Sequence, residues 1–444
     1  MTGAVSRSRM ALLHDPGTYL SGPPLAELAD LRRRHGVVWI DEPSDEPADE
    51  RSGEPADGYW LVLRHGDVER VLRDPATFSS ALGGTQIRDP ASDRDLEFVR
   101  RMMLNMDPPE HSRLRRLVSA SFTPRAVATI SDRITEHARG LVTRMLAGPP
   151  QCDFAKDVAA DLPLLSLAEV LGVPAQDRML LFDWSNRVIG WQDPDYMASA
   201  AFDAGAGTGM ARRALALRPE PDARGRMPDP RTRAGMADLY EYAHLLAEHK
   251  RAEPGTDVMS ILLAQPEETI STEEFENLFW LFAVAGNETL RNGIPGGMSA
   301  LLRHPEQQRA LREDPALLGG AVEEMLRWWT PVMVFRRTAT RPVELAGVRI
   351  AAGDKVVVSF LSANRDETVW PDPDAFDVRR PPGRHLVFGH GPHFCLGALF
   401  ARTQMRALFG ELLARTNRLE AAGEPDLLRS NFQRGIKRLP LAWS

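Results

Sequence analysis

The 444-residue sequence predicts a mainly α-helical protein with small β-sheets. Three observations lead there. Capped or amphipathic helical patterns dominate the chain from Asp107 onward, the strand-like stretches are short and few, and no internal repeat is present. Length alone suggests about three domains. The composition, 43% hydrophobic and 26% charged, is that of an ordinary globular chain. No stretch approaches the roughly 18 apolar residues of a membrane span, and the first residues lack an apolar core of signal-peptide length. A cytoplasmic location is the expectation.

Two strands are expected first, at "GVVWI" (36–40) and "GYWLVLR" (58–64), where β-branched and aromatic residues concentrate. Between them, residues 41–57 hold eight acids and one arginine, which equals the net charge of the whole chain, −7. This segment reads as a solvated hairpin loop, and a net-acidic chain argues against nucleic acid as the main partner. "LGGTQIRDPASDRD" (82–95) reads as a mobile loop. A helix is expected over 107–122, with Asp107 as N-cap, Pro108 at the first helical position and Glu110 three residues after the cap. Residues 217–235, rich in Pro and Arg between two helical patterns, read as an interdomain linker or as the turn of a two-helix lid over a pocket. Ser271 and Glu274 stand in capping-box spacing, and the helix they open is too apolar for a surface position, so it should cross the core. Amphipathic helices follow at 315–329 and 396–416. Between them lie strand-like "VELAGVRI" and "DKVVVSF", then a Trp/Pro/Asp-rich meander.

The chemistry concentrates in "HLVFGHGPHFCLGALFARTQ" (385–404). Cys395 precedes a helix, so its sulfur can meet that helix's N-terminal N–H groups and the positive end of its dipole, which favour a thiolate. Gly389, Gly391 and Gly397 permit tight turns and close approach to something flat. His393 can donate to an acidic group of the same ligand. The only other cysteine, Cys152, lies far away in sequence, and nothing points to a disulfide framework.

These residues resemble the haem-binding loop of the cytochrome P-450 family, Phe-Gly-x-Gly-x-His-x-Cys-x-Gly, matched by Phe388, Gly389, Gly391, His393, Cys395 and Gly397. The resemblance covers nearly the whole chain and implies one domain over 1–444, with 217–235 as a lid loop. It implies haem b lying between the long central helix and the helix after the cysteine, with Cys395 as the iron ligand. Phe388, Gly389 and His393 would contact the haem. Glu324 and Arg327 match the family's Glu-x-x-Arg, and Arg380 falls where the family completes a structural triad. His111 and Arg115, four apart on one helix face, match propionate ligands; Arg337 matches another, although Arg336 beside it competes for that role.

"AVAGNETL" (283–290) is similar to the family's oxygen-activating motif. Ala285 and Gly286 would lie over the haem, Gly286 letting the helix pass close to the iron. Glu288 and Thr289 would form the acid–alcohol pair that relays protons through water. The sequence then departs from the pattern: Pro295, followed by Gly296 and Gly297, is expected to kink the central helix one to two turns beyond Thr289.

The resemblance implies a haem-thiolate monooxygenase using O2. Its electrons would come from a separate ferredoxin and ferredoxin reductase docking on the cysteine side, where Arg384, Arg402 and Arg406 would suit an acidic partner. The expected substrate lining is mainly apolar. It comprises Leu82, Thr85 and Gln86 from one loop, Leu281 with Ala285 and Thr289 from the central helix, Val332, Val334 and Phe335, and Phe432 at a hairpin tip. Terpenoids, sterols and methyl-branched lipids are the expected substrates; a tailoring oxidase of a polyketide or peptide is the alternative. A non-oxygenating or peroxide-using haem protein is the alternative of another class, against which the intact Glu288–Thr289 pair argues.

Overall fold

Ser271 opens the helix on which the site is built. Its hydroxyl accepts from the Glu274 N–H while the Glu274 carboxylate accepts from the Ser271 N–H, closing the capping box expected from the sequence. The computed structural model describes residues 12–42, 58–197, 205–223, 227–266 and 269–444, so residues 43–57 of the acidic segment lie outside the described residues. The helices that frame the site are α1 (His65–Arg73), α2 (Asp93–Arg100), α3 (Glu110–Ser119), α4 (Pro124–Ala147), α5 (Asp161–Leu171), α6 (Arg178–Ile189), α7 (Gly209–Leu215), α8 (Ala237–Ala252), α9 (Thr272–Ala285), α10 (Glu288–Arg303), α11 (Leu318–Trp329) and α12 (Ala398–Arg415).

The apolar run of α9 is buried as expected, with Phe279 packed against Trp184 of α6 and Tyr242 of α8. A second core joins α4, α10, α11 and α12 around Met298, Met325, Trp329 and Phe409. The main sheet has five strands: β1 (Val37–Asp41), β2 (Gly58–Val62), β3 (Phe78–Ser79), β4 (Val334–Ala339) and β5 (Lys355–Ser359), in the order β1-β2-β5-β4-β3. β1 and β2 pair antiparallel with Trp39 opposite Trp60; β2 and β5 are parallel; β5–β4 and β4–β3 are antiparallel. "VELAGVRI" forms a small hairpin, Val343–Leu345 against Val348–Ile350.

Two local expectations need correction. Asp107 does not cap a helix. α3 starts only at Glu110, and the Asp107 carboxylate instead accepts from Ser79 Oγ (2.5 Å) and Ser80 N–H (2.8 Å) at the end of β3. A distant pair of donors outcompetes the local ones. The central helix is also interrupted where its sequence reads as continuous. The interruption is at Gly286–Asn287, between α9 and α10, whereas α10 runs continuously through Pro295. Gly296 and Gly297 serve packing, since a Cβ on Gly296 would overlap the Trp329 indole and one on Gly297 would crowd Met325 and Phe409.

Residues 82–95 are anchored at several points. The Thr85 carbonyl accepts from the Arg336 N–H, and the Thr85 hydroxyl donates to Asn105. They are also clasped to the segment between α7 and α8. Arg88 pairs with Asp229 (2.8 Å), Arg231 donates to the carbonyls of Arg88 and Asp89, and the Arg88 guanidinium lies 4.0 Å over the Trp191 ring. Among the described residues, no helix is long and apolar enough to cross a membrane.

Candidate active site

The cysteine loop is held from three sides. The Cys395 N–H donates to the Phe388 carbonyl (2.8 Å), while Gly389 and Gly391 both adopt left-handed backbone with φ of 68° and 69°. The glycines divide the work foreseen for them. A Cβ on Gly391 would stand 2.5 Å from the Leu72 carbonyl, so this glycine permits close approach to α1, whereas Gly397 faces open space. Burial raises the Cys395 thiol pKa, and the Gly397 N–H works against that rise. Cys395 itself is exposed. Ala285 is likewise exposed, although residues 281–284 before it are buried.

Basic groups converge beside this loop. The His111 and His393 rings lie 4.1 Å apart, Arg115 donates to the Phe394 carbonyl (2.5 Å), and buried Arg337 donates to the Arg336 carbonyl (2.8 Å). His393 also contacts the Met106 carbonyl (3.0 Å). Burial, then Arg115 and Arg337, hold His111 down at about 4, and burial with Arg337 holds His393 well below its usual range. Burial lowers Arg337 to about 10. Among the described residues no carboxylate forms an ion pair with Arg115 or Arg337, and His111 Nδ1 has no hydrogen-bond partner. Arg336, by contrast, is committed to Asp89 (2.5 Å). A buried cation such as Arg337 is costly without an acid. A flat dianion with two carboxylates is the ligand these residues fit, and haem b with its propionates is such a group.

The central helix answers less simply. A Cβ on Gly286 would meet Leu167 Cδ1 and the Phe282 carbonyl, both at 2.8 Å, so the approach this glycine permits is to α5 rather than to the thiol. Thr289 is half-buried, and its hydroxyl lies 3.4 Å from the Ala285 carbonyl. Glu288 is fully buried, with Oε2 accepting from Arg291 (3.0 Å) and Oε1 from Asn292 (3.1 Å). Arg291 also bonds Asn186 (2.5 Å) and the Tyr196 hydroxyl. No hydrogen bond joins Glu288 to Thr289; the acid is committed to its own helix.

Thr85, Gln86 and Leu281 share a cleft with Phe98, Val99 and Met102. Trp280, Asn105 and Arg231 also line it, none of which stood out in the sequence; Trp280 sits one residue from the predicted Leu281 and was the nearest signal. Leu82 is 44% exposed and lies outside the cleft lining. Val332, Val334 and Phe335 belong to a separate wall, where the rings of Phe335 and Phe432 lie 5.8 Å apart.

Glu324, Arg327 and Arg380 come together. Arg327 donates through Nε (2.7 Å) and Nη2 (2.8 Å) to Glu324, and Arg380 Nε adds a third bond at 3.1 Å. Arg327 also donates to the carbonyls of Pro373 and Ala375, which ties the meander to α11. Arg402 is not free for a partner: Nε and Nη2 both donate to Glu323 at 2.7 Å, and its guanidinium lies 4.3 Å over the Phe388 ring.

Known proteins are similar to this chain. A cytochrome P450 family model matches residues 241–425. Steroid C26-monooxygenase of Rhodococcus jostii (strain RHA1) is 35% identical over 428 residues, covering 95% of this chain and 82% of the relative. Methyl-branched lipid omega-hydroxylase of Mycobacterium bovis (strain ATCC BAA-935 / AF2122/97) is 38% identical over 393 residues, or 87% of this chain and 84% of the relative. Among solved structures, Mycobacterium marinum cytochrome P450 CYP268A2 in complex with pseudoionone superposes with a TM-score of 0.80 at 33% identity, covering 99% of this chain and 97% of that one. With more than a third of its residues shared with monooxygenases along almost its entire length, and a haem-shaped set of basic groups beside a cysteine loop, the chain belongs to the cytochrome P450 family of haem b, cysteine-thiolate oxidoreductases.

Proposed function

We propose that this P450 hydroxylates an apolar small molecule of the terpenoid, sterol or methyl-branched lipid kind, acting in the cytoplasm as one catalytic unit. Electrons would come from a separate ferredoxin and its reductase. The observation that carries the substrate class is the cleft wall of Phe98, Val99, Met102, Leu104 and Leu281, which ends one helical turn before Ala285. The names of the steroid- and branched-lipid-oxidising relatives support the same class. Apolar burial contributes about 25 cal/mol per Å2, so such a molecule binds there without a charged anchor.

In this reading Cys395 would be the thiolate ligand; burial raises its thiol pKa, and the Gly397 N–H with the cations Arg115 and Arg402 works against that rise. His111, Arg115, Arg337 and His393 would hold the propionates, the arginines by charge and the histidines through a ring N–H. Bound haem b supplies oxygen activation and the oxidation of a C–H bond to an alcohol. The Ala285–Thr289 turn orients the substrate and keeps bulk water out. Thr289 holds a proton donor at the reacting face through its hydroxyl. Glu288 would relay protons to it through water, with Arg291 and Asn292 holding its carboxylate in place.

Thr289→Ala tests the proton-holding role. The variant should bind substrate nearly as wild type does while releasing less product per electron consumed, with peroxide accounting for the difference. Unchanged product per electron would remove Thr289 from the mechanism. Optical titration with terpenoids, sterols and branched lipids against macrolides and cyclic peptides tests the substrate class. Saturable shifts confined to the larger compounds would replace it with a tailoring role.

A further inference from the structure

Three arginines are expected on the cysteine side, and one of them stands apart. Arg384 and Arg406 are exposed, whereas the Arg402 side chain is 23% exposed and packs against the cysteine loop. Its Nε and Nη2 donate to the two oxygens of Glu323 at 2.7 Å each, and its guanidinium lies 4.3 Å over the Phe388 ring. Phe388 is the residue whose carbonyl accepts the Cys395 N–H at 2.8 Å. Glu323 is steadied in turn by His385 at 3.1 Å. A planar fork bound through two nitrogens and stacked on a ring has one orientation, so the charge stays in place instead of swinging into water. Arg115 and Arg402 are the cations whose charge acts on the Cys395 sulfur, and Glu323 is not among the groups that do. The ion pair thus turns its positive end to the sulfur and its negative end to α11. Arg115 is taken up by the propionate role; Arg402 is not.

We propose that Arg402, held by Glu323 and Phe388, is a positioning residue that sets how strongly the Cys395 thiolate donates to the haem iron. Reduction of ferric to ferrous haem adds one electron, and so one negative charge, beside the sulfur. A fixed cation favours that added charge. The same cation draws electron density away from the thiolate, which also makes the iron easier to reduce. Both effects have one sign, so loss of the Arg402 charge lowers the reduction potential. The inference rests on Cys395 as the iron ligand and adds the group that tunes it. It also assigns Arg402 an inward role in place of the docking role its sequence position suggests.

The test is reductive titration of the haem-loaded protein with dithionite and no partner protein, so docking plays no part. The reduced, carbon-monoxide-treated wild type is recorded first. A histidine-type band there sinks the Cys395 reading and this proposal with it. With a thiolate band in hand, Arg402→Gln should lower the ferrous-to-ferric ratio at a fixed applied potential about tenfold, or about 59 mV for one electron. Its C–O stretch should also move to lower frequency, because a stronger donor thiolate pushes more density into the bound carbon monoxide. Arg402→Lys keeps the charge and loses the fork, so it should recover most of the potential without recovering the stability. The double variant Arg402→Gln, Glu323→Gln leaves no acid unpaired; its potential should fall between those of Arg402→Gln and wild type, and it decides the matter if the single variant loses its haem. Arg406→Gln, four residues on and exposed, should keep the ratio within about twofold of wild type. Ratios within about twofold of wild type in the folded Gln variants at position 402 overturn the proposal while leaving Cys395 in place. So does an Arg402→Lys potential as low as that of Arg402→Gln, or an equal shift in Arg406→Gln, which would mark net charge rather than position.

Discussion

Replacing Glu324 with Gln should damage this protein far more than a one-atom change suggests. The carboxylate is 2% exposed and accepts four hydrogen bonds: Arg327 Nε at 2.7 Å, Arg327 Nη2 at 2.8 Å, Arg380 Nε at 3.1 Å and the Asp377 N–H at 3.2 Å. Gln keeps the shape but turns one acceptor into a donor facing donors, and it leaves the buried Arg327 and the partly buried Arg380 guanidinium groups without their counter-charge. Breaking a buried pair from one side costs about 3–5 kcal/mol. Total stabilities run to about 5–15 kcal/mol, so the variant should fold but lose a large share of its margin. A control is available in Glu420→Gln, whose partner Arg418 is 70% exposed and whose own side chain is 51% exposed; that pair is worth about 0–1 kcal/mol. Urea unfolding followed by far-ultraviolet circular dichroism and by Soret absorbance measures both variants. If Glu324→Gln falls within about 1 kcal/mol of Glu420→Gln, the claim that this carboxylate holds the meander to α11 is refuted.

Two further predictions concern the same region. Burial works to raise the Glu323 pKa, but hydrogen bonds from His385 and Arg402 win and hold it at about 2, against an ordinary 4.5. Because the folded value is the lower one, the stabilisation is present above pH 4.5 and is lost as pH falls toward 2. The stability gap between wild type and Glu323→Gln should therefore narrow across that window, and a constant gap would contradict the assignment. Gly391→Ala places a Cβ 2.5 Å from a backbone oxygen at φ 69°, whereas Gly353→Ala at φ 90° meets nothing within 4 Å. Gly353→Ala should cost only the left-handed penalty of about 1–2 kcal/mol, and Gly391→Ala should cost more and weaken haem retention; equal losses in thermal unfolding would contradict the close-packing account.

Short-range signals in the sequence transferred well to the structure. The Ser271–Glu274 box, the apolar course of α9 and the helix after Cys395 depend on neighbours within a few residues, and each lies where its pattern puts it. What was illegible depends on distant partners. Asp107 carries every local mark of an N-cap, yet Ser79 and Ser80 take its carboxylate. The central helix is interrupted at Gly286, where Leu167 of α5 presses in. Arg336 and Arg337 are equivalent in sequence; only the position of Asp89 separates them. Glu288 and Thr289 are adjacent in the chain, and Arg291 with Asn292 directs the acid elsewhere. Trp280 gave no signal, because the lack of a partner is a property of the folded cleft.

The central claim is that Cys395 binds the haem iron as a thiolate, and the absorption spectrum of the fully reduced, carbon-monoxide-treated protein tests it most directly. Freshly purified wild type should show the long-wavelength Soret band of thiolate-ligated haem, and Cys395→His should lose it while Cys152→Ser keeps it. A histidine-type band from intact wild type, or a thiolate band surviving in Cys395→His, would contradict the account.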